Sequence, residues 1–570
     1  MKKSLLAILL AVGLICGSMT GCGGSTVAGN TQNDVNTSME SGAISSDADL
    51  LMYTVNDRGL NVRDDNYRTC YEVFVYSFWD SNSDGIGDLN GLIQKLDYIN
   101  DGNDETDKDL GCNAIWLMPV MPSTTYHKYD VMDYYDIDPE YGTLDDFKRL
   151  VEECHARGIN VIMDLVMNHT SSRHEWFRSA CEYLDSLEPG QTPDEAVCPY
   201  VGYYNFTDKA QGNYHQVGDT EWFYEGQFWS EMPDLNLANK NVRQEFEDIA
   251  RYWLELGVDG FRLDAVKEFY SGSTEKNIEV LSWFNDAVKS IKADAYLVGE
   301  VWEDYNGCSK YYESGLDSFF DFSFADSTGY ISKVLNGNAK SGASTYGKAI
   351  EAVNDTILQY TDNYIDAPFY SNHDLARSAG YYSGEYAEEK VKMGHAMNLL
   401  MSGNAFIYYG EELGMKGSGR DENKRVGMYW SENTNMVGMC AGPVDADTVE
   451  MIYPSLEVQQ EDPGSIYNYV KQAIKLRNIY PEIARGAMTF HQELSNDQVC
   501  VFTKEYEGSQ LMIIFNLSEN ENAVDLSGIS LNGKDAGNVE EAGMLQTSGA
   551  GVRIDGSRVI MPAYSVEIIK

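Results

Sequence analysis

Basic residues are scarce in this chain of 570 residues: 42 Lys and Arg stand against 89 Asp and Glu, a net charge of −47. So acidic a surface repels phosphate backbones and anionic headgroups, which argues against nucleic-acid or anionic-membrane binding through the folded part. A membrane-spanning run is missing as well. The apolar run Leu5 to Ile15 is too short, and wrongly flanked, to cross a bilayer. Among ten cysteines there is no CxxC pair and no Cys/His cluster, so nothing suggests zinc. No Gly-rich phosphate turn follows the first strand-like run, which disfavours a doubly wound nucleotide-binding sheet. No internal repeat is evident.

What is present belongs to a soluble globular protein, with 43% hydrophobic and 23% charged residues and length for several domains. The charge balance suits a neutral substrate, a cation ligand, or simple solubility. Aromatics reach 12%, with 39 Tyr; sugar clefts use aromatic faces, but cores account for more of them.

The start reads as a targeting segment. Met1-Lys2-Lys3 is basic, Leu5 to Ile15 is apolar, and small residues follow. Met19-Thr20-Gly21-Cys22 resembles a bacterial lipobox, so residues 1–22 are expected to be a lipoprotein signal ending at Cys22, the lipidated mature N-terminus. Ordinary secretory cleavage nearby is the alternative. Residues 23–60, rich in Gly, Ser, Thr, Asn and Asp, are expected to be a flexible tether with no room for an extra folded domain. Of the cysteines beyond Cys22, Cys181 and Cys198 share a loop-rich region where pairing is feasible, but buried free thiols are the expectation for a chain this size.

From Tyr71 onward, strand and helix patterns alternate. Strands are expected at Tyr71 to Phe78, Ala114 to Met118, Asn160 to Val166, Phe261 to Asp264, Ala295 to Val298, Leu316 to Phe322, Phe369 to Ser371 and Ala405 to Tyr409. Helices are expected at Leu89 to Asn100, Leu144 to Ala156, Val242 to Leu256 and Thr274 to Ile291. Eight strands alternating with helices predict an α/β fold, a (β/α)8 TIM barrel over residues 61–168 and 238–485. The rhythm breaks over residues 169–237, read as a small inserted domain after the third strand. Past Gly486 short strands separated by turns predict a C-terminal all-β sandwich over residues 486–570.

The stretch Gly257 to Glu268 organises the rest. After the turn signal Gly-Val-Asp-Gly, Phe261-Arg262-Leu263-Asp264 alternates so that Arg262 and Asp264 share one face. A buried charged pair is costly unless each member has a partner. Arg262 holds Asp264 ionised and aimed, as a carboxylate nucleophile requires, or the two form a structural ion pair. Catalytic groups of a barrel sit at the C-terminal strand ends, where Asp264, Glu300 and Asp374 all fall. Together they have the makings of glycoside hydrolysis through a nucleophile and a general acid. Glu300 follows the apolar Tyr296-Leu297-Val298, which favours a raised pKa. His169 and His373 occupy comparable ends, without metal-ligand spacing. Asp80-Ser81-Asn82-Ser83-Asp84-Gly85-Ile86-Gly87-Asp88 sets oxygen side chains at alternate positions with a Gly turn, a loop able to wrap a hard cation; a polar Asx turn is the plain alternative.

At these residues the chain resembles the α-amylase family of glycoside hydrolases, glycoside hydrolase family 13, from about Tyr71 to Lys570. Asp164-Leu165-Val166-Met167-Asn168-His169, Gly260 to Lys267, Val298-Gly299-Glu300-Val301-Trp302 and Phe369 to Asp374 resemble its four signatures in order. The resemblance implies Asp264 as nucleophile, Glu300 as acid/base, and Asp374 as the group that holds and distorts the reacting sugar. It implies Arg262 orienting Asp264, His169 and His373 on hydroxyls, Tyr129 stacking on the sugar, Lys267 in substrate binding, and Asp130 paired with Arg425 at the non-reducing end. It also implies Ca2+ on Asp80, Asn82, Asp84, Ile86 and Asp88. Met232-Pro233-Asp234-Leu235-Asn236 resembles the fifth signature in the intermediate form found in secreted and lipid-anchored amylases. Two departures stand out: Glu268 replaces the His whose backbone helps bind a second calcium, so that second site is not expected, and Lys128 replaces a usual Gly. Ala265 resembles α-1,4-acting members.

The expectation is therefore a retaining, endo-acting α-1,4-glucan hydrolase at the cell surface, monomeric, touching the membrane only through its lipid. The alternatives are a neopullulanase-, α-glucosidase- or transglycosylase-type enzyme on short α-glucans, which the Asp130/Arg425 pair favours, and a non-catalytic sugar-binding lipoprotein, against which all three carboxylates speak.

Overall fold

A computed structural model describes residues 53–55, 60, 63–535, 540–547 and 551–570. The signal, Cys22 and most of the span read as a tether lie outside them. Eight parallel strands form the barrel: β1 Thr69–Val73, β2 Ala114–Leu117, β3 Asn160–Leu165, β4 Gly260–Leu263, β5 Tyr296–Gly299, β6 Ser318–Asp321, β7 Ala367–Pro368 and β8 Ala405–Tyr408. Hydrogen bonding runs from β7 through β6, β5, β4, β3 and β2 to β1 and β8, and a bridge between Phe369 and Phe406 joins the two ends. Inside, Cys70, Trp116, Ile162, Val298, Phe320 and Phe406 fill the barrel. The next inward positions toward the C-terminal ends carry Glu72, Asp164, Arg262 and Glu300, so the strand period of two converts an apolar layer into a polar one. At the start of β4 only glycine fits, because a Cβ on Gly260 would lie 2.0 Å from the Tyr296 carbonyl oxygen.

The surrounding helices follow their caps and apolar spacing. Leu144–Ala156 starts at a capping box, Thr143 accepting from the Asp146 N–H while the Asp146 carboxylate accepts from the Thr143 N–H. Phe147, Leu150, Val151 and Cys154 make its buried stripe. Three boundaries differ from expectation. β1 stops at Val73, and Val75–Ser77 turns into a buried 3-10 segment that feeds the acidic loop. The helix expected from Leu89 to Asn100 divides at Lys95, whose ammonium lies 3.6 Å from the Trp79 ring centre. The seventh strand is Ala367–Pro368, with Phe369 only bridged.

After β3 the insertion contains a helix, Glu175–Asp185, and a small antiparallel sheet of Phe206–Thr207, Tyr214–Gln216 and Phe223–Glu225. Cys181 and Cys198 are free, as are the other described cysteines. Beyond Gly486 five strands of a six-stranded antiparallel sheet pack one face on a smaller three-stranded sheet through Val501, Ile514, Val559 and Met561. Its other face carries Phe502 and Phe515, which pack on Tyr346 of the barrel helix Ser344–Ile357. Within the span read as a tether, Tyr53–Val55 is a strand pairing antiparallel with Glu541–Gln546 at the edge of this sheet. That part of the tether expectation is corrected: three residues with strand-forming Tyr, Thr and Val find an open sheet edge.

Candidate active site

Arg262 is the hub. Its guanidinium is 1% exposed and donates to Asp264 Oδ1 at 2.6 Å and to both oxygens of Asp164 at 3.0 Å. Its other terminal nitrogen lies 3.0 Å from Glu300 Oε2. So long a side chain stays charged in the core because three carboxyls surround it. Trp116 and Tyr129 cover its faces, with ring centres 5.0 and 5.8 Å away. Right after Asp264, Ala265 takes a left-handed φ of 47°, a strain of about 1 kcal/mol for a residue with a Cβ, and its N–H donates to Glu300 Oε2 at 3.1 Å. The turn thus ties the β4 and β5 ends together. Burial pushes the Glu300 carboxyl up to about 7; Arg262 opposes this, and Asp264 and Asp374 add to it. Burial likewise lifts Asp164 to about 6 against the pull of Arg262.

The opposite wall is built around His373. Its Nδ1 lies 2.6 Å from Glu72 Oε1, and its Nε2 lies 2.8 Å from the Tyr129 hydroxyl and 3.0 Å from Asp374 Oδ2. Tyr129 stacks on the imidazole at 5.6 Å and donates its hydroxyl to Asp164 at 3.0 Å. Arg425 donates to Asp374 Oδ1 at 2.8 Å, to the Tyr126 hydroxyl at 3.1 Å and to the His373 carbonyl at 3.2 Å. Burial opposes charge on both members of the His373–Asp374 pair, but each charge favours the other. His373 rises to about 9, and Asp374 is held far below the usual carboxylate range. Asp374 is the more open of the acidic groups, its side chain 28% exposed. His169, 2% exposed, leaves Nε2 without a partner and rests its ring 5.4 Å from Phe228 of the insertion. Together these groups form a cleft floor with one carboxyl, Glu300, poised to give a proton, one, Asp374, held as an anion, and hydrogen-bonding groups around them.

Residues 72–486 match the family described as alpha amylase, catalytic domain. The chain belongs to the α-amylase family of glycoside hydrolases. It is a glycoside hydrolase with the family's barrel, inserted segment and C-terminal all-β domain, and its substrate class is α-glucan. It is 36% identical to Alpha-amylase 3 of Dictyoglomus thermophilum over 88% of this chain and 92% of that one. It is 30% identical to the 4-alpha-glucanotransferase of Thermotoga neapolitana over 79% and 96% respectively. Among solved structures, Eubacterium rectale Amy13B superposes with a TM-score of 0.86 at 54% identity, over 90% of this chain and 96% of that one.

The structure brings Asp264, Glu300, Asp374, Arg262, His373, Tyr129 and Arg425 into one network, with His169 beside it. It does not join Asp130 to Arg425. Asp130 is 0% exposed and its carboxylate is taken up by the hydroxyls of Ser123, Thr124 and Thr125, while Arg425 is turned to Asp374. Lys267 pairs with Glu303 at 2.9 Å at the cleft rim. Lys128 keeps the left-handed φ, 66°, that favours glycine, and buries its ammonium between Asp138 and Glu140, away from the carboxylate network.

In the acidic loop Asp80 accepts from the N–H groups of Asn82, Ser83 and Gly85, and Asp88 accepts from Ser81 and Gly91. Asp80 and Asp88 are both 4% exposed, and among the described residues no Lys or Arg pairs with either or with Asp84. Uncompensated carboxylates on a tight oxygen-rich turn fit a hard cation. No cluster of three or more His, Cys, Asp or Glu side chains with metal-holding geometry occurs among the described residues, so such a site draws on the Asn82 and Ile86 oxygens too.

Sequence reasoning missed Glu72, Asp164, Trp116 and Tyr126. Glu72 and Asp164 are lone acids inside apolar strands, and the alternation argument that singled out Arg262 applies equally to them.

Proposed function

We propose that the chain is a retaining, endo-acting α-1,4-glucan hydrolase, an α-amylase degrading starch-like polymers and maltooligosaccharides. The observation that carries this is the pairing of Asp264 and Glu300 on neighbouring nitrogens of one guanidinium, with Glu300 lifted to about 7. The close pair suits a nucleophile and an acid working without an intervening water. Asp264 attacks the anomeric carbon as Glu300 protonates the leaving oxygen, giving a glycosyl ester. Glu300, now ionised, takes a proton from water, which attacks the same carbon and frees Asp264. Asp374, kept anionic by His373 and Arg425, grips sugar hydroxyls, and Tyr129 offers its ring face.

Endo action is favoured over the exo alternative because the Asp130/Arg425 pair is not formed, and because exposed aromatic faces stand on both flanks. Phe228, 51% exposed, lies against His169, Trp229 follows it in the chain at 49% exposed, and Trp302, 51% exposed, stacks on Phe322 two residues beyond Glu300. That second platform also supports a transferase reading, in which a sugar resting on Trp302 accepts the glycosyl group instead of water.

Ca2+ is proposed on Asp80, Asn82, Asp84, Ile86 and Asp88, where it would brace the loop that leads from β1 into the cleft wall. A lipid on Cys22, an extracellular position at the cell membrane and a monomeric state complete the proposal; they rest on the sequence features given above.

The test is the product profile over time on soluble starch and on maltose, beside Glu300→Gln. Mixed oligosaccharides appearing early from starch, with maltose intact, is the expected result. Glucose or maltose alone from the outset moves the assignment to exo-acting relatives, longer products from short substrates move it to transferases, and unchanged activity in Glu300→Gln overturns the site.

A further inference from the structure

Glu72 is a carboxylate with no neighbour of opposite charge in its own strand. It is 1% exposed, and it meets His373, equally buried, through a single contact of 2.6 Å. No other described charged side chain touches it. A buried carboxylate with one imidazole as its sole charged partner is costly unless the imidazole is protonated. The far side of the same ring is the working side, where Nε2 meets Asp374 and the Tyr129 hydroxyl.

We propose that Glu72 is a positioning residue for the glycosidase reaction: it fixes His373 as an imidazolium whose Nε2–H points at Asp374, so that Asp374 is delivered to the sugar as an anion in one orientation. The inference rests on the proposed hydrolysis for its kinetic part only. The neutral ring offers two tautomers, and the one with Nδ1–H toward Glu72 turns a lone pair at the Asp374 carboxylate. The imidazolium donates at both ends and removes that choice. The groups that face the ring from other elements do not substitute for Glu72. Arg425 reaches the His373 carbonyl rather than the ring, and Arg262 opposes ring protonation while being saturated by Asp164, Asp264 and Glu300. Tyr129 is neutral and shared with Asp164. Glu300 favours ring protonation only when it is itself ionised, and Asp374 is the group being held. Tyr408, which lies near Glu72, is neutral in the working range.

The experiment titrates His373 by NMR in selectively labelled native protein and in Glu72→Gln, with His373→Gln to assign the signal, and measures kcat/KM on a chromogenic maltooligosaccharide from pH 5.5 to 8. In the native protein His373 is expected to stay protonated through pH 8. In Glu72→Gln its midpoint falls toward the ordinary value near 6.5, and the kcat/KM deficit grows with pH, reaching about tenfold or more at pH 8. Glu72→Asp, which keeps the charge, holds the midpoint high; it carries the test if Glu72→Gln does not fold. A native His373 that titrates near its ordinary value, or a midpoint unmoved by Glu72→Gln, overturns the proposal. So does a kinetic deficit that is equal at all pH values. If the native chain leaves the maltooligosaccharide uncleaved, the hydrolase reading fails while the titration still decides the role of Glu72.

Discussion

Glu300 stands between opposing pulls. Burial and two neighbouring carboxylates favour its proton, and Arg262 favours its loss. The balance near 7 has a direct kinetic sign: the acid is loaded below that value and empties as pH rises through it. kcat/KM is therefore expected to decline above about pH 7, and a pH–rate series checks it. Replacing Glu300 by Gln leaves a group that neither donates nor accepts the proton, so kcat is expected to drop by about 10^2–10^4-fold with the melting temperature little changed. A flat profile through pH 7 would remove Glu300 from the acid role. The same scale shows what the sequence conceals. Arg262 and Asp264 advertise each other two residues apart, whereas the partner of Glu72 lies 301 residues downstream. Local alternation finds the second kind of buried charge but not its partner.

Among the elements, strand ends were legible and loops less so. Most barrel strands fall within a residue or two of their expected bounds, because a run of apolar residues between turn signals has few other ways to be buried. The Asp130–Arg425 pair is not formed, because Ser123, Thr124 and Thr125, a polar run with no period, fold back over the Asp130 carboxylate. Lys128 was ambiguous for the same reason: only the fold reveals that its ammonium is spent on Asp138 and Glu140. The Asp80 to Asp88 loop gives the prediction proper to this scale. Among the described residues its carboxylates share no cationic side chain, so a chelator is expected to lower the melting temperature and Ca2+ to restore it. At a hundredfold excess over its Kd a bound ion adds about 2.7 kcal/mol. Asp80→Ala should abolish the response to Ca2+ while lowering the starting stability. A melting temperature indifferent to chelator and to added Ca2+ removes calcium from the loop.

For the whole molecule, the C-terminal sheet is packed between a smaller sheet and the barrel helix Ser344–Ile357, so the all-β part is a buttress of the barrel rather than a free appendage. The division into barrel and tail was readable from the change of period near Gly486; the contact was not, since nothing in either pattern names the other. The proposed attachment to the membrane through Cys22 belongs to this scale too. Changing Cys22 to Ser is expected to move the protein from the membrane fraction to the medium of expressing cells while leaving starch cleavage intact, which fractionation and an activity stain check. Equal release of the native and changed proteins would leave ordinary secretion in its place.

The pairing of Tyr53–Val55 with Glu541–Gln546 has a mechanical consequence. Among the described residues, tension arriving from before Tyr53 meets the fold at three residues of antiparallel ladder on one sheet edge. So short a seam holds by few hydrogen bonds, and the ion pairs Arg63–Glu507 and Asp65–Arg485 stand between it and β1, so a pull on the strand meets these contacts in turn before it reaches the barrel.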